Sequence, residues 1–145
     1  MSGPAIRRIG DRVAVAGQLR PADMPALAAA GFVHVVNNRP DGEAPDQPAG
    51  ETVRAAAEAA GLGYTAIPID HTGFPAAKVE RMRAVLDSAP GPVVAFCRSG
   101  ARSTVLWALA EAQAGRPAAE ILDAAEEAGV DPRLLRPHLG GAAGG

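Results

Sequence analysis

The only cysteine of the chain lies between an apolar, β-branched run and an apolar helical stretch, and this arrangement constrains the fold more than any other feature. The run 93–96 follows a Pro-Gly-Pro turn and predicts a buried strand of an α/β sheet. Residues 104–112 predict a buried helix. Cys97 would then stand at the carboxyl end of the strand, in the turn that leads into the helix.

This turn has the chemical character of an anion-binding loop. The backbone N–H groups of residues 98–102 have no predicted strand partner, and the first amides of a helix have no partner within the helix. A helix N-terminus carries about half a positive elementary charge, and with Arg98 and Arg102 nearby it favours the thiolate of Cys97. A lone cysteine is more often a small buried hydrophobe, but two flanking arginines and a glycine favour a nucleophile here.

The loop resembles the active-site loop of rhodanese-type sulfurtransferases and, more loosely, that of cysteine-dependent phosphatases, in the segment Cys97-Arg98-Ser99-Gly100-Ala101-Arg102-Ser103. The phosphatases place arginine six positions after the cysteine, whereas Arg102 follows Cys97 by five, and Phe96 stands where they usually have histidine. A shorter loop leaves fewer amides around the thiolate. It therefore suits a terminal sulfur atom better than a phosphoryl group with three equatorial oxygens.

Residues 13–21, 27–43 and 64–69, together with the cysteine loop, are similar to a bacterial family of beta-lactamase-hydrolase-like, phosphatase-like domains. The resemblance implies the dual-specificity cysteine phosphatase architecture with a shortened loop. That is a three-layer α/β fold, with a mostly parallel sheet of four to five strands and helices on both faces. Several members are grouped as sulfur transferases and some are fused to metal-dependent hydrolases. The resemblance therefore implies a persulfide dioxygenase or a metallo-hydrolase-fold protein as a partner.

The remaining sequence predicts alternating strands and helices, as in other α/β domains. Strands are expected near 13–16, 32–37, 64–69 and 93–96. Proline at a helix start and glycine just past a helix end mark the helix boundaries. Helices are expected between Pro21 and Gly31, near 51–60, over 76–89, over 104–112, after Pro117, and after an Asp131 N-cap. The polar, proline-rich stretch 40–50 predicts a surface loop.

Composition predicts one domain over residues 1–139 and a disordered glycine-rich tail over 140–145. A chain of 145 residues that is 48% hydrophobic can bury a core, and one cysteine allows no internal disulfide. A net charge of −2 and 3% aromatic residues argue against nucleic-acid binding, and no apolar run approaches the length of a membrane span. The first ten residues show no secretory signal, so we expect a cytoplasmic protein.

Three polar side chains are expected on the same rim as Cys97, because loops after parallel strands meet at one sheet edge. Asp70 and His71 follow the third predicted strand, and Arg39 follows the second. A phosphatase would use Asp70 as a general acid, and the alternative is a carboxylate that caps a turn. His71 could take part in the site, and Arg39 could contact an anionic substrate or tie loops together.

The predicted catalytic residues are Cys97, Arg102 and Asp70. The predicted substrate-binding residues are Arg98, Ser99, Gly100, Ala101, Ser103, His71 and Arg39. The hydroxyl of Ser103 could donate to the sulfur of Cys97 or satisfy an early amide of the helix. The scattered histidines predict no metal site, and nothing in the sequence predicts a cofactor.

Three functions remain open from the sequence. The leading hypothesis is a sulfurtransferase that moves sulfur from a small anionic donor, such as thiosulfate or a persulfide, through a Cys97 persulfide to an external thiol. The second is a phosphatase that forms a phosphocysteine. The third is a thiol redox sensor, which needs no turnover.

Overall fold

The computed structural model describes residues 5–139, which form a five-stranded, mostly parallel sheet with helices on both faces. The strand order is β1-β2-β5-β3-β4, and only β1 is antiparallel to its neighbour. This confirms the predicted α/β class. The strands are β1 (Ile6–Ile9), β2 (Val13–Ala16), β3 (His34–Asn37), β4 (Gly63–Ala66) and β5 (Val93–Phe96). The predicted tail at 140–145 lies outside the described residues.

Within residues 5–139, six α-helices connect or follow these strands, and short 3-10 turns precede the first and the last of them. They are α1 (Met24–Ala29), α2 (Gly50–Ala59), α3 (Ala76–Ser88), α4 (Ala101–Gln113), α5 (Ala118–Glu127) and α6 (Arg136–Leu139). As predicted, the Asp131 side chain caps the turn before α6 by accepting from the amide of Arg133, at 2.9 Å.

Strand boundaries differ from the sequence prediction at three places. The second predicted strand begins at His34 rather than at residue 32, and β4 covers residues 63–66 rather than 64–69. β4 ends early because Pro68 has no amide, although Ile67 and Ile69 still donate to the carbonyls of residues 37 and 38. β1 was not predicted, since two exposed arginines interrupt its apolar pattern.

Two apolar clusters pack on opposite faces of the sheet and define the three layers. One face carries α3, α4 and α5, around the buried Trp107, and the other carries α1 and α2, around Met24 and Leu27. β2 and β5 are buried at every position because helices cover both of their faces.

Register places the site at one edge of the sheet. Phe96, the last residue of β5, pairs with Ala16 of β2 on one side and with Asn37 of β3 on the other. The residues that follow these three strands therefore lie next to one another. Cys97 occupies the middle position, directly after the carboxyl end of β5, where the sequence predicts it to stand.

Candidate active site

Cys97 lies at the base of a loop that joins β5 to α4. Its side chain is fully buried, and its amide donates to the carbonyl of Ala16 at 3.3 Å. The amide of Gly100 donates to Sγ of Cys97 at 3.1 Å. Gly100 has a φ of +97° at the N-cap of α4, a conformation that glycine adopts without strain. This turn returns the backbone toward the sulfur.

Several backbone N–H groups of this loop have no hydrogen-bond acceptor among the described residues. The amides of Arg98, Ser99, Arg102 and Ser103 have no acceptor among the described residues. Two of them belong to the first turn of α4, where the helix dipole is positive. The loop therefore has the donors that an oxyanion beside Cys97 requires.

A close backbone contact ties this loop to the end of β2. The amide of Gln18 donates to the carbonyl of Arg98 at 3.3 Å. A Cβ atom at Gly17 would lie 3.0 Å from the same carbonyl oxygen, so the contact depends on the missing side chain of glycine. The conformation of the loop is thus set from both of its ends.

Arg102 is held in place by the loop that follows β3. Its Nη1 and Nη2 atoms donate to the two carboxylate oxygens of Glu43, at 2.8 and 2.9 Å, and Nη1 also donates to the carbonyl of Ile69 at 2.7 Å. The carboxylate of Glu43, and to a smaller extent the sulfur of Cys97, raises the pKa of Arg102. The guanidinium is therefore a fixed positive charge beside the sulfur.

The side chain of Arg39 also holds Glu43 in place. Its side chain is 6% exposed, and it donates to Glu43 at 3.0 Å and to Oε1 of Gln18 at 2.9 Å. Of the two roles considered for Arg39, the structure shows the one that ties loops together, here through side chains. Arg102 and, more weakly, Arg39 lower the pKa of Glu43, which keeps that carboxylate ionised.

A buried polar network anchors the first turn of α4 to β3. The hydroxyl of Ser103 donates to Oδ1 of Asn38 at 2.8 Å, and Nδ2 of Asn38 donates to the carbonyl of Ile67 at 2.9 Å. Both side chains are fully buried. The hydroxyl of Ser103 thus bonds neither the sulfur nor a helix amide, and its role in this structure is to position the loop.

Asp70 and His71 lie on an exposed turn after β4. Oδ1 of Asp70 accepts from the amide of Thr72 at 2.9 Å and from its hydroxyl at 2.5 Å. These bonds lower the pKa of Asp70, which is fully exposed. The turn meets Arg102 through the carbonyl of Ile69, not through the carboxylate.

The remaining predicted substrate-binding residues belong to the loop itself. Arg98 and Ser99 have exposed side chains, whereas Gly100 is buried and Ala101 partly so. Sequence reasoning missed Glu43, Gln18 and Asn38 as site residues. Residues 40–49 of the predicted stretch form a loop at the site, and α2 begins at Gly50. The available signal for Glu43 was a carboxylate four residues after Arg39, a predicted site residue.

The described residues contain no group of three or more histidine, cysteine, aspartate or glutamate side chains placed to hold a metal ion. Within the same residues, no helix is long and apolar enough to cross a membrane.

The mostly parallel five-stranded sheet with helices on both faces is a dual-specificity-phosphatase-like fold. A structure of kinase associated phosphatase, which has a catalytic-site cysteine, superposes with a TM-score of 0.66 at 12% identity, over 93% of this chain and 88% of that one. Identity at that level shows the fold alone.

The chain belongs to the family described as beta-lactamase hydrolase-like protein, phosphatase-like domain, whose profile matches residues 5–115. A beta-lactamase hydrolase-like protein of Agrobacterium fabrum is 41% identical over 109 residues, which is 75% of this chain and 25% of that protein. The chain thus spans about a quarter of the length of the curated relatives it matches. A "putative phosphatase" of Neisseria meningitidis is 32% identical, with a TM-score of 0.80, covering 94% of this chain and 97% of that one.

Proposed function

We propose that this phosphatase-like domain hydrolyses phosphate esters through a phosphocysteine on Cys97. The observation that supports the proposal most directly is the loop geometry, in which an amide donor contacts Sγ at 3.1 Å and Arg102 is fixed nearby. The family and the fold favour this reaction over the sulfur transfer that the sequence had put first.

The proposed reaction has two steps. The thiolate of Cys97 attacks phosphorus, so that an S–P bond forms while the bond from phosphorus to the leaving oxygen breaks. The loop amides and Arg102 stabilise the charge on the equatorial oxygens. Water then attacks phosphorus and the S–P bond breaks. Inorganic phosphate leaves with both protons of the water, and the thiolate of Cys97 is restored.

Two carboxylates on the loops after β3 and β4 bear on the class of substrate. Asp70 and Glu43 both have lowered pKa values, so neither holds a proton to give to the leaving group near neutral pH. A phenol loses its proton with a pKa of about 10, whereas aliphatic alcohols are far weaker acids. We therefore propose aryl phosphates, such as phosphotyrosine, rather than alkyl phosphates as substrates.

Sulfur transfer is the second candidate, and the short spacing from Cys97 to Arg102 favours it. In that reaction Sγ attacks the outer sulfur of thiosulfate, a new S–S bond forms, and sulfite leaves without needing a proton. A second nucleophile, such as cyanide or a thiol, then removes the outer sulfur. Because the chain has one cysteine, this acceptor has to come from outside.

The deciding experiment compares both reactions on one preparation. The release of p-nitrophenol from p-nitrophenyl phosphate and of thiocyanate from thiosulfate plus cyanide would be measured with the wild-type protein and with Cys97→Ser. Phosphatase turnover that disappears in the variant supports the proposal. Thiocyanate formation without phosphatase turnover would overturn it in favour of sulfur transfer. Activity retained by Cys97→Ser would exclude both schemes.

A further inference from the structure

The backbone of Asn38, which directly follows β3, is bonded to two segments of the active site. Its amide donates to the carbonyl of Phe96, the residue before Cys97, at 2.8 Å. Its carbonyl accepts from the amide of Ile69 at 2.9 Å, and the carbonyl of Ile69 in turn accepts from Arg102. Asn38 therefore lies between the strand that carries the nucleophile and the segment that holds the arginine.

The side chain of Asn38 adds a third connection, to α4. This side chain is fully buried, and its Nδ2 atom donates to the carbonyl of Ile67 at 2.9 Å. Because that carbonyl cannot donate, the amide nitrogen must face it, and the amide oxygen then faces the hydroxyl of Ser103, at 2.8 Å. Ser103 directly follows Arg102 in the first turn of α4. One residue thus links the three segments that surround the sulfur.

The same network decides where the hydroxyl proton of Ser103 points. A hydroxyl group has one proton to donate, and an amide oxygen can only accept. The proton of Ser103 is therefore taken by Asn38 and is not available to the sulfur of Cys97. The donor that the structure does give the sulfur is the amide of Gly100, at 3.1 Å.

The bond between Asn38 and Ser103 bears on substrate binding because of its place in the fold. Both side chains are fully buried, so removal of either leaves a buried polar group unpaired, which a shift of the turn would relieve. The amides of Arg102 and Ser103, which have no acceptor among the described residues, belong to this turn. Even a small displacement of such donors weakens their bonds to a reacting group.

We propose that Asn38 is a positioning residue for the phosphatase reaction and that it acts through Ser103. The bond between them keeps the first turn of α4 aimed at the oxygens of the phosphoryl group, and it keeps the hydroxyl away from the sulfur. This inference rests on the proposed phosphatase function. It adds to that function a residue that does not itself touch the substrate.

The ultraviolet absorbance of the thiolate tests the direction of the Ser103 hydroxyl without any turnover. Cys97 is the only cysteine, so Cys97→Ser serves as the blank. The pH midpoint of this absorbance in Ser103→Ala should lie within about half a pH unit of the wild-type value, because no bond to the sulfur is lost. A larger rise would show that Ser103 donates to the sulfur, and would overturn the proposal.

Turnover of p-nitrophenyl phosphate by Asn38→Leu, Ser103→Ala and the double variant tests the positioning role. Each single change should lower kcat/KM about tenfold. The double variant should lose no more than about a further twofold, because both changes break one bond. Thr65→Val is the matched control, since it removes a contact of the same length, 2.8 Å, from Thr65 to His34 on β3, outside the active-site loop.

Two results would contradict the positioning role. One is a pair of losses that multiply to about a hundredfold in the double variant, and the other is an equal loss in Thr65→Val. Absence of turnover in the wild-type protein would instead refute the proposed function, so the two failures are distinguishable. The absorbance measurement needs only Ser103→Ala and decides the hydroxyl direction even where Asn38→Leu does not fold.

Discussion

At the scale of single residues, Glu43 decides how Arg102 presents its charge. Both carboxylate oxygens of Glu43 bind Arg102, and one of them also accepts from Arg39. Without this carboxylate the long arginine side chain would sample many rotamers, and ordering it again would oppose substrate binding. Glu43 is therefore a positioning residue, which acts through Arg102.

Glu43→Gln should lower kcat/KM for p-nitrophenyl phosphate about three- to tenfold, because an amide cannot replace the charge-assisted pair. Asp46→Asn, an exposed change on the same loop, is the control and should have no effect. Steady-state kinetics of the two variants would check this. Equal values would mean that Arg102 needs no carboxylate to hold it.

The same residue predicts how stability depends on pH. Arg102 lowers the pKa of Glu43 in the folded protein, so the unfolded state takes up the proton more readily. The stabilisation from Glu43 is therefore complete above its ordinary pKa of about 4.5 and is lost as pH falls through the lower folded value.

Urea unfolding of the wild-type protein and Glu43→Gln between pH 7 and pH 3 would measure this dependence. The difference between their free energies of unfolding should be constant from pH 7 to about 5.5 and should shrink below about 4.5. A difference that grows on acidification would contradict the ion pair.

At the scale of elements, the junction between β5 and α4 depends on one left-handed residue. Gly100 caps α4 with a φ of +97°, and its amide contacts the sulfur of Cys97. Gly115, just beyond α4, has a φ of +96°, and a Cβ atom there would have open space around it. Both glycines have a left-handed backbone conformation, but only Gly100 belongs to the site.

Gly100→Ala and Gly115→Ala should therefore destabilise the fold similarly, by about 1–2 kcal/mol or 3–10 °C in Tm. Only Gly100→Ala should also lower kcat, about tenfold or more, because it displaces the amide beside Cys97. Thermal unfolding and p-nitrophenyl phosphate turnover of both variants would check this. A similar loss of kcat in Gly115→Ala would show that the effect is one of general stability.

At the scale of the whole molecule, the fold decides which loops lie around the cysteine. The turn after β4 reaches the site through the carbonyl of Ile69, while the side chain of Asp70 is exposed and bonded to Thr72. In this structure no part of that turn offers Cys97 a protonated carboxyl group.

Asp70→Asn should accordingly change kcat/KM for p-nitrophenyl phosphate by less than about threefold, whereas loss of a general acid costs about 10²- to 10⁴-fold. Steady-state turnover across pH 5 to 8 is the measurement. A severe loss of kcat/KM would show that the turn closes over the site during catalysis, if the variant also no longer loses activity at the alkaline end of the pH range.

Local patterns were enough to predict the site's nucleophile and its surroundings. The apolar run before Cys97, the glycine and arginines after it and the buried helix that follows predict a strand, a loop and a helix, and all three elements form. Such features depend on neighbours in sequence, through backbone conformation, hydrophobic burial and unpaired helix amides. The edge strand β1 was not predicted, because its two exposed arginines interrupt the alternation of buried and exposed residues that marks a strand.

Only the tertiary structure decided the partners of the polar side chains. Arg102 and Glu43 are 59 residues apart, Ser103 and Asn38 are 65 apart, and Arg39 and Gln18 are 21 apart. Each pair meets because parallel strands bring distant loops to one sheet edge, where a side chain bonds whichever group the register places opposite it. The sequence by itself thus determined that Cys97 sits in the loop between a buried strand and a buried helix. The fold determined that Glu43 orients the arginine beside it and that Asp70 caps its own turn.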